Sequence, residues 1–290
     1  MFNIERLATR WGDSFRIMTG STNDVISQGV TRMISVLIFS ALFVTGASFH
    51  QPVDYDNTSS RYFLVSAIVD HGTFSIDAYE KETIDKSFWN GHYYSNKAVG
   101  APLLGVPIYW CLRHLPFTGE SAPLAPSSKY IVRLLTTTLP FALLGVIMFR
   151  LACSAGASVR KAFLMVIAYA FGTIALVHAT LFSGHQLAAS LAFFSFALVF
   201  RTPANGVKID EPPQSLRLFF AGLFAGYAAI TDFLVMIIVF CLAVYVFSSG
   251  RPARGLFIFV VGGLVCAVIV AAYNIKCFGN PISLSYSHLS

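Results

Sequence analysis

The residues that could do chemistry are concentrated between Asp54 and Lys97, a segment that holds seven of the chain's fourteen carboxylates. Asp54 and Asp56 stand two residues apart. Such a pair could bind a divalent cation through oxygen, or one of its members could act as a general base. The alternative is that both are the solvated start of a loop. If the chain is an enzyme, most of its reacting groups should lie in this segment.

The same segment carries cations at positions that suit a phosphate. Arg61 precedes Tyr62, and its guanidinium offers a planar, bidentate match to phosphate. Lys97 stands between an aromatic-rich stretch and an apolar stretch rich in glycine and proline, where it could hold a lipid phosphate. The alternatives are an arginine that snorkels to lipid headgroups and an ordinary interfacial lysine.

A second set of polar residues interrupts the apolar second half of the chain. His178 and His185 flank a short turn signal, where histidine can bind a metal or transfer a proton, or serve structure alone. Asp232 follows Thr231 between two apolar runs. An ionisable group in a membrane segment is a functional hypothesis by default, but a place in a turn would weaken that inference.

Composition indicates the elements that must position these residues. Charged residues make up only 12% of the chain, against roughly 25% in soluble domains, so we predict an all-α, polytopic membrane protein. The net charge of +6 does not indicate nucleic-acid binding, because basic residues of membrane proteins collect in cytoplasmic loops.

Seven apolar runs approach the roughly 20 residues that a membrane span needs. They are Met33–His50, Lys129–Cys153, Lys161–Leu181, His185–Phe200, Leu218–Ile230, Phe233–Phe247 and Leu256–Phe278. An eighth run, Val99–Leu115, contains two prolines. If it does not cross the membrane, the three basic loops at 150–161, 201–217 and 251–254 fall on the side of the N-terminal tail, so we interpret it as a re-entrant or interfacial helix. This gives a cytoplasmic tail (1–32), a transmembrane domain (33–290) and a first extracytoplasmic loop (53–128).

Three local structures are predicted within the loop. Ser59–His71 has apolar residues at helical spacing and is followed by Gly72, which predicts an amphipathic helix on the membrane surface. Ile76–Lys86 is predicted to be a second helical piece. Asn90-Gly91 suits a type I′ turn and predicts a hairpin.

The loop motifs SSRY, DHGTFSIDAY and NGHYYSNKAVGAPLL follow the acidic pair, and together they resemble the membrane glycosyltransferases of the GT-C superfamily. The likeness is to the branch of the protein O-mannosyltransferases and lipid A aminoarabinose transferases. Weaker matches are HATLFSGHQLAAS, AGLFAGYAAITDF and the closing YNIKCFGNPISLSYSH. The resemblance covers roughly residues 30–290, and relatives continue beyond it, so it implies that a C-terminal part is lacking here.

The resemblance implies inverting transfer of a sugar from a polyprenyl-phosphate donor to a cell-envelope, lipid or protein acceptor. The site would lie on the extracytoplasmic face of the plasma or inner membrane, with the donor and membrane lipid as partners. By motif position, Asp56 would be the base or a ligand of a divalent cation. Asp54 is the alternative, and it fits the motif position less well. Lys97 and Arg61, with Tyr62 beside it, would contact the donor, and His185 would contact the acceptor.

The chain departs from the family pattern at positions that matter for chemistry. Asn96 replaces an acid before the lysine, Ala98-Val99 replaces a Pro-Pro pair, and histidines replace an acid in the second extracytoplasmic turn. A second hypothesis is therefore a non-catalytic polyprenyl-phosphate binder or a transporter-like module.

Overall fold

The computed structural model describes residues 29–49, 55–114, 123–200, 215–248 and 252–289, and these are mostly helical. The helices are α1 (Gly29–Ser48), α2 (Asp56–Asp70), α3 (Gly100–His114), α4 (Pro126–Ser154), α5 (Val159–Phe171), α6 (Ala175–Ala179), α7 (Gly184–Val199), α8 (Ser215–Thr231), α9 (Met236–Phe247) and α10 (Pro252–Phe278). Strands β1 (Lys86–Trp89) and β2 (His92–Ser95) form an antiparallel hairpin. Short 3-10 turns occupy Asp77–Tyr79, Phe233–Val235 and Ser285–His288.

Among the described residues, three helices are long and apolar enough to cross a membrane. They are Gly29–Ser48, Pro126–Ser154 and Ala253–Phe278. This is fewer than the seven spans that we predicted. The other four predicted runs form shorter apolar helices, and one of them, Lys161–Leu181, is divided into α5 and α6 after Phe171. The first helix also begins at Gly29, inside the predicted tail.

The packing of the long helices places one group of basic residues at a common end. Helix α1 is antiparallel to α4, because Leu42 lies against Gly145 while the Gly46 carbonyl accepts a bond from Arg133. Arg150, Arg160 and Lys161 therefore lie at the end where α1 begins. Helices α8 and α10 run parallel at close range, and both begin with basic residues, at Arg217 and Arg254.

Helix α2 is buried, so the predicted surface helix is wrong in its environment. All ten residues from Thr58 to Ala67 are buried. The reason is that α2 is covered by the hairpin and by α3. Ser60 bonds to Ser95 at the N-terminal end of α2, and Asp70 pairs with Arg113 at its C-terminal end, so α2 and α3 run parallel.

The other local structures that we predicted in the loop are confirmed in part. The helix ends before Gly72, which has φ +65°, as predicted. The hairpin is also confirmed, with positive φ at both Asn90 and Gly91, as a type I′ turn requires. The predicted helix over Ile76–Lys86 is wrong, because only Asp77–Tyr79 form a single 3-10 turn. Val99–Leu115 corresponds to α3, and Leu115 lies outside the described residues.

Candidate functional site

Six polar side chains, linked by two ion pairs and by electrostatic interactions, form a polar cluster where α3 and α7 begin and α8 ends. Within this polar cluster, Lys97 Nζ lies 2.8 Å from Asp85 Oδ1 and His185 Nδ1 lies 2.7 Å from Asp232 Oδ2. The carboxylates of both pairs interact electrostatically with Arg61 and with the sixth member, Tyr286. The cluster therefore joins the first loop, two helix junctions and the C-terminal segment, which are far apart in the sequence.

Two glycines let the three helix ends come this close. A Cβ atom at Gly100 would lie 2.1 Å from the Thr231 hydroxyl oxygen, and one at Gly184 would lie 2.6 Å from the Thr231 carbonyl oxygen. These distances leave no room for any other side chain. The Gly100 carbonyl also accepts a hydrogen bond from Tyr227, at 2.9 Å. Close packing around Thr231 thus fixes the separation between Lys97, before α3, and the pair at α7 and α8.

Arg61 is the most unusual member of the polar cluster. It is 4% exposed, and its Nη1 donates to the carbonyl oxygen of Asn57 at 2.6 Å and to the Asn57 side chain. Its Nε has no hydrogen-bond partner in the described part of the chain. Burial lowers the pKa of Arg61 to about 10, although the charges of Tyr286, Asp85 and Asp232 oppose this effect. The group stays protonated at neutral pH, so the site holds a buried cation that has no ion pair among the described residues.

Lys97 is also buried, and it forms an ion pair with Asp85. The Lys97 side chain is 10% exposed and that of Asp85 is 24% exposed. Asn96 donates weakly to the same carboxylate, at 3.4 Å, and its own Oδ1 is buried without a partner among the described residues. Asp85, the residue before β1, thus supplies an acid beside Lys97.

Sequence reasoning missed Asp85, yet the hairpin contained the signal. A two-residue turn at Asn90-Gly91 fixes the register so that Lys86 pairs with Ser95. Extending this register by one residue places Asp85 opposite Asn96, next to Lys97.

His185 and Asp232 form the second pair of the polar cluster. Asp232 lies in the turn after α8, where its Oδ1 also accepts a bond from the Leu234 amide, at 3.2 Å. The side chain of His185 is 54% exposed, whereas that of Asp232 is 17% exposed. The ring of His178 lies 4.9 Å from that of His185, because the turn between them reverses the chain. The two histidines thus face each other across the turn that we predicted between them.

The C-terminal segment covers the hairpin side of the polar cluster. The Ser87 hydroxyl donates to the Ser285 carbonyl at 2.6 Å, and His288 packs on Trp89 with ring centroids 4.4 Å apart. Tyr286 is held between these contacts, and burial raises its pKa. Tyr286 escaped sequence reasoning, because nothing in the residue pattern indicates that this segment returns to the loop.

Asp56 and Tyr62, two other predicted site residues, have hydrogen-bond partners outside the polar cluster. Asp56 is exposed, and its Oδ1 accepts a hydrogen bond from the Ile84 amide at 3.0 Å, so it holds the segment that carries Asp85. Tyr62 points toward α4 and donates to the Lys129 carbonyl at 2.9 Å. Asp54 lies outside the described residues. Among the residues that the structure does describe, no group of three or more His, Cys, Asp or Glu side chains is arranged to hold a metal ion.

A second polar network, at the other end of α2, is fully paired. Asp70 accepts bonds from Arg113 Nε at 2.7 Å and from Tyr109 at 2.9 Å. Burial alone would raise the pKa of Asp70, but the hydrogen bonds from Ser66, Arg113 and Tyr109 outweigh it and hold the pKa below its usual value. This network closes the α2–α3 pair, and we assign it to the scaffold.

The polar cluster is suited to an anion and to proton transfer. It offers a buried guanidinium, a lysine, and a histidine–carboxylate pair that is open to solvent. No protein-family model, no curated protein and no solved structure matches this chain. The functional inference must therefore rest on the residues and on this geometry.

Proposed function

We propose that the chain is a multi-pass membrane glycosyltransferase of the GT-C type. It transfers a sugar from a polyprenyl-phosphate donor to a cell-envelope, lipid or protein acceptor at the extracytoplasmic face. The polar cluster is the reaction site in this proposal, and Arg61 and Lys97 hold the donor phosphate.

The observation that carries the proposal is the state of Arg61. A buried charge without an ion pair is costly, and in native proteins such groups are usually paired with a counter-charge. Arg61 keeps its positive charge at 4% exposure, with Nε unsatisfied among the described residues. A phosphate monoester or diester would supply both the negative charge and the missing acceptor oxygen. Lys97 would add a second cation to the same ligand.

The arrangement of the helices supports the proposed topology. The basic residues Arg150, Arg160, Lys161, Arg217 and Arg254 lie at helix ends opposite to the polar cluster. If the short connections that carry these five residues lie in the cytoplasm, as the positive-inside rule favours, the polar cluster faces the extracytoplasmic side. In this topology the three long helices, the α5–α6 pair and the three shorter apolar helices α7, α8 and α9 make seven crossings.

Helix α3 is the proposed contact for the polyprenyl tail. Its exposed residues Pro107, Trp110, Cys111 and His114 follow one stripe at helical spacing. Its buried side packs on the core through Gly105 and Tyr109. A tail that leaves a phosphate at Lys97 could therefore follow the outer face of α3 into the lipid.

Sugar transfer by the intact chain tests this function. Membranes that contain the chain are supplied with radiolabelled polyprenyl-phosphate hexoses and pentoses, and label in new products is measured. We expect transfer from at least one donor. We also expect Asp56→Asn to reduce it by lowering the stability of the segment that carries Asp85, with protein levels measured in parallel. Absence of transfer and of donor binding by the wild type would overturn the proposal.

One observation favours the second candidate, a non-catalytic polyprenyl-phosphate binder. Asp56, the residue that the resemblance assigns as base, is already engaged by the Ile84 amide and is exposed. If Asp56 had to be the base, the polar cluster could bind a donor without activating an acceptor. Donor binding without any transfer is the result that this candidate predicts.

A further inference from the structure

We propose that His185, oriented by Asp232, is the general base that deprotonates the acceptor. This inference rests on the proposed function and assigns its acid–base chemistry to a pair outside the first loop. Asp56, the residue that the resemblance assigns to this role, is engaged by the Ile84 amide.

The hydrogen bond between the two residues sets the state of the histidine ring. The carboxylate of Asp232 can only accept, so Nδ1 of His185 donates to it over 2.7 Å. In the neutral ring, Nε2 then carries the free lone pair. Within the described part of the chain, Nε2 makes no hydrogen bond, and the side chain is 54% exposed. A ring held at one nitrogen and open at the other is the arrangement that a general base needs.

The pair also lies beside the proposed phosphate site. The charge of Asp232 acts on Arg61 and on Tyr286, which places it within the same electrostatic environment as the buried cation. Thr231 precedes Asp232 and packs against Gly100, three residues after Lys97. An acceptor that contacts His185 would thus approach a donor whose phosphate is held by Arg61 and Lys97.

The reaction balances with these groups alone. The acceptor hydroxyl gives its proton to Nε2 of His185, and its oxygen forms the new bond to the anomeric carbon of the sugar. The bond between that carbon and the phosphate oxygen breaks, and the electron pair leaves with the polyprenyl phosphate. Arg61 and Lys97 stabilise the leaving anion. Asp232 stabilises the protonated ring until the proton is released to solvent, so Asp232 is a positioning residue.

The test compares two variants with a matched control. His185→Gln and Asp232→Asn are measured in full-length protein in liposomes, with labelled polyprenyl-phosphate hexoses and pentoses and a membrane extract as the source of acceptor. His92→Gln is the control, because His92 forms the same type of pair with Asp77, also at 2.7 Å, on the exposed hairpin. We expect His185→Gln to lower the turnover rate by about 10²- to 10⁴-fold, the usual range for a general base, without changing donor affinity.

Donor affinity separates a positioning role for Asp232 from a structural one. Asp232→Asn keeps the size of the side chain but replaces the carboxylate that accepts from Nδ1 of His185 with a neutral amide. We expect the turnover rate to fall while donor affinity stays unchanged, because the ring loses the charged group that orients it. A structural defect would lower the turnover rate and donor affinity together.

The outcomes distinguish this inference from the proposed function. Transfer that persists in His185→Gln at the wild-type rate would overturn the role of His185 and leave the glycosyltransferase proposal standing. A wild type that binds donor but transfers nothing would overturn both. An equal loss in the His92→Gln control would also overturn the assignment, since the effect would then not be specific to the polar cluster.

Discussion

Replacement of Arg61 by methionine is expected to weaken binding of polyprenyl phosphate and, at the same time, to stabilise the empty protein. A hydrogen bond to a charged group contributes about 1.5–3 kcal/mol, so we expect affinity to fall by about 10- to 100-fold. Methionine keeps much of the apolar stem, so packing in α2 is largely preserved. Binding is measured with a fluorescent short-chain polyprenyl phosphate, and stability as the thermal unfolding midpoint in detergent.

The expected gain in stability follows from the direction of the pKa shift. Burial disfavours the charged form and lowers the pKa of Arg61 to about 10 in the fold, below its usual value. The unfolded chain therefore binds the proton more tightly, and the charge destabilises the empty fold at any pH below about 10. This penalty is relieved only as the pH rises from about 10 towards the usual pKa of arginine. Removing the guanidinium removes the penalty at neutral pH.

Arg113→Met is the matched control for Arg61→Met. Arg113 is paired with Asp70 at 2.7 Å, and its removal leaves a buried carboxylate without its counter-charge. We expect Arg113→Met to lower the unfolding midpoint and to leave affinity for polyprenyl phosphate unchanged. If Arg61→Met behaved in the same way, Arg61 would be a scaffold residue and the proposed phosphate site would be wrong.

The second large effect is expected at Lys97, and its size should depend on Asp85. Lys97→Met removes a cation from the proposed phosphate site and leaves the Asp85 carboxylate facing the ligand. We expect a loss of affinity of about 10²-fold or more, because a charge contact is lost and a repulsion is exposed. In the double variant Lys97→Met/Asp85→Asn part of the affinity should return. Asp85→Asn alone should strengthen binding, because the carboxylate no longer competes with the ligand for Lys97.

The double-mutant cycle distinguishes this account from a simple structural ion pair. A pair that only stabilised the hairpin would give similar losses of stability for either single variant and no change in affinity. Strongly opposed effects of Lys97→Met and Asp85→Asn on affinity are the signature of a shared anion site. Titrations of the four proteins with the same fluorescent polyprenyl phosphate, at one salt concentration, provide the cycle.

Much of the fold followed from the sequence because local signals were strong. The Asn-Gly turn fixed the hairpin, Gly72 marked the end of α2, and apolar runs located the helices. The environment that we predicted for α2 was wrong for a physical reason. Its apolar residues satisfied a helical spacing, but its buried face also includes Ser60 and Ser66, whose bonding partners come from distant segments. Periodicity alone does not reveal partners that lie far away in the sequence.

Only those members of the candidate site whose residue type and motif suggested a role could be predicted from the sequence. Arg61, Lys97 and His185 were expected from the motifs, and the structure places all three in one cluster with Asp232. The position of Asp85 could have been predicted from the hairpin register, but it was overlooked. The position of Tyr286 could not have been predicted, because it depends on the packing of the C-terminal segment against β1.

The most direct measurement is the distance from the phosphorus of a bound polyprenyl phosphate to the guanidinium nitrogens of Arg61. Solid-state NMR of ¹⁵N-arginine-labelled protein in lipid bilayers measures this ³¹P–¹⁵N coupling. The proposed site predicts a contact of about 4 Å, set by one charged hydrogen bond, that disappears in Arg61→Met and persists in Arg113→Met. A phosphate contact that survives in Arg61→Met would place the ligand elsewhere and contradict the proposed site.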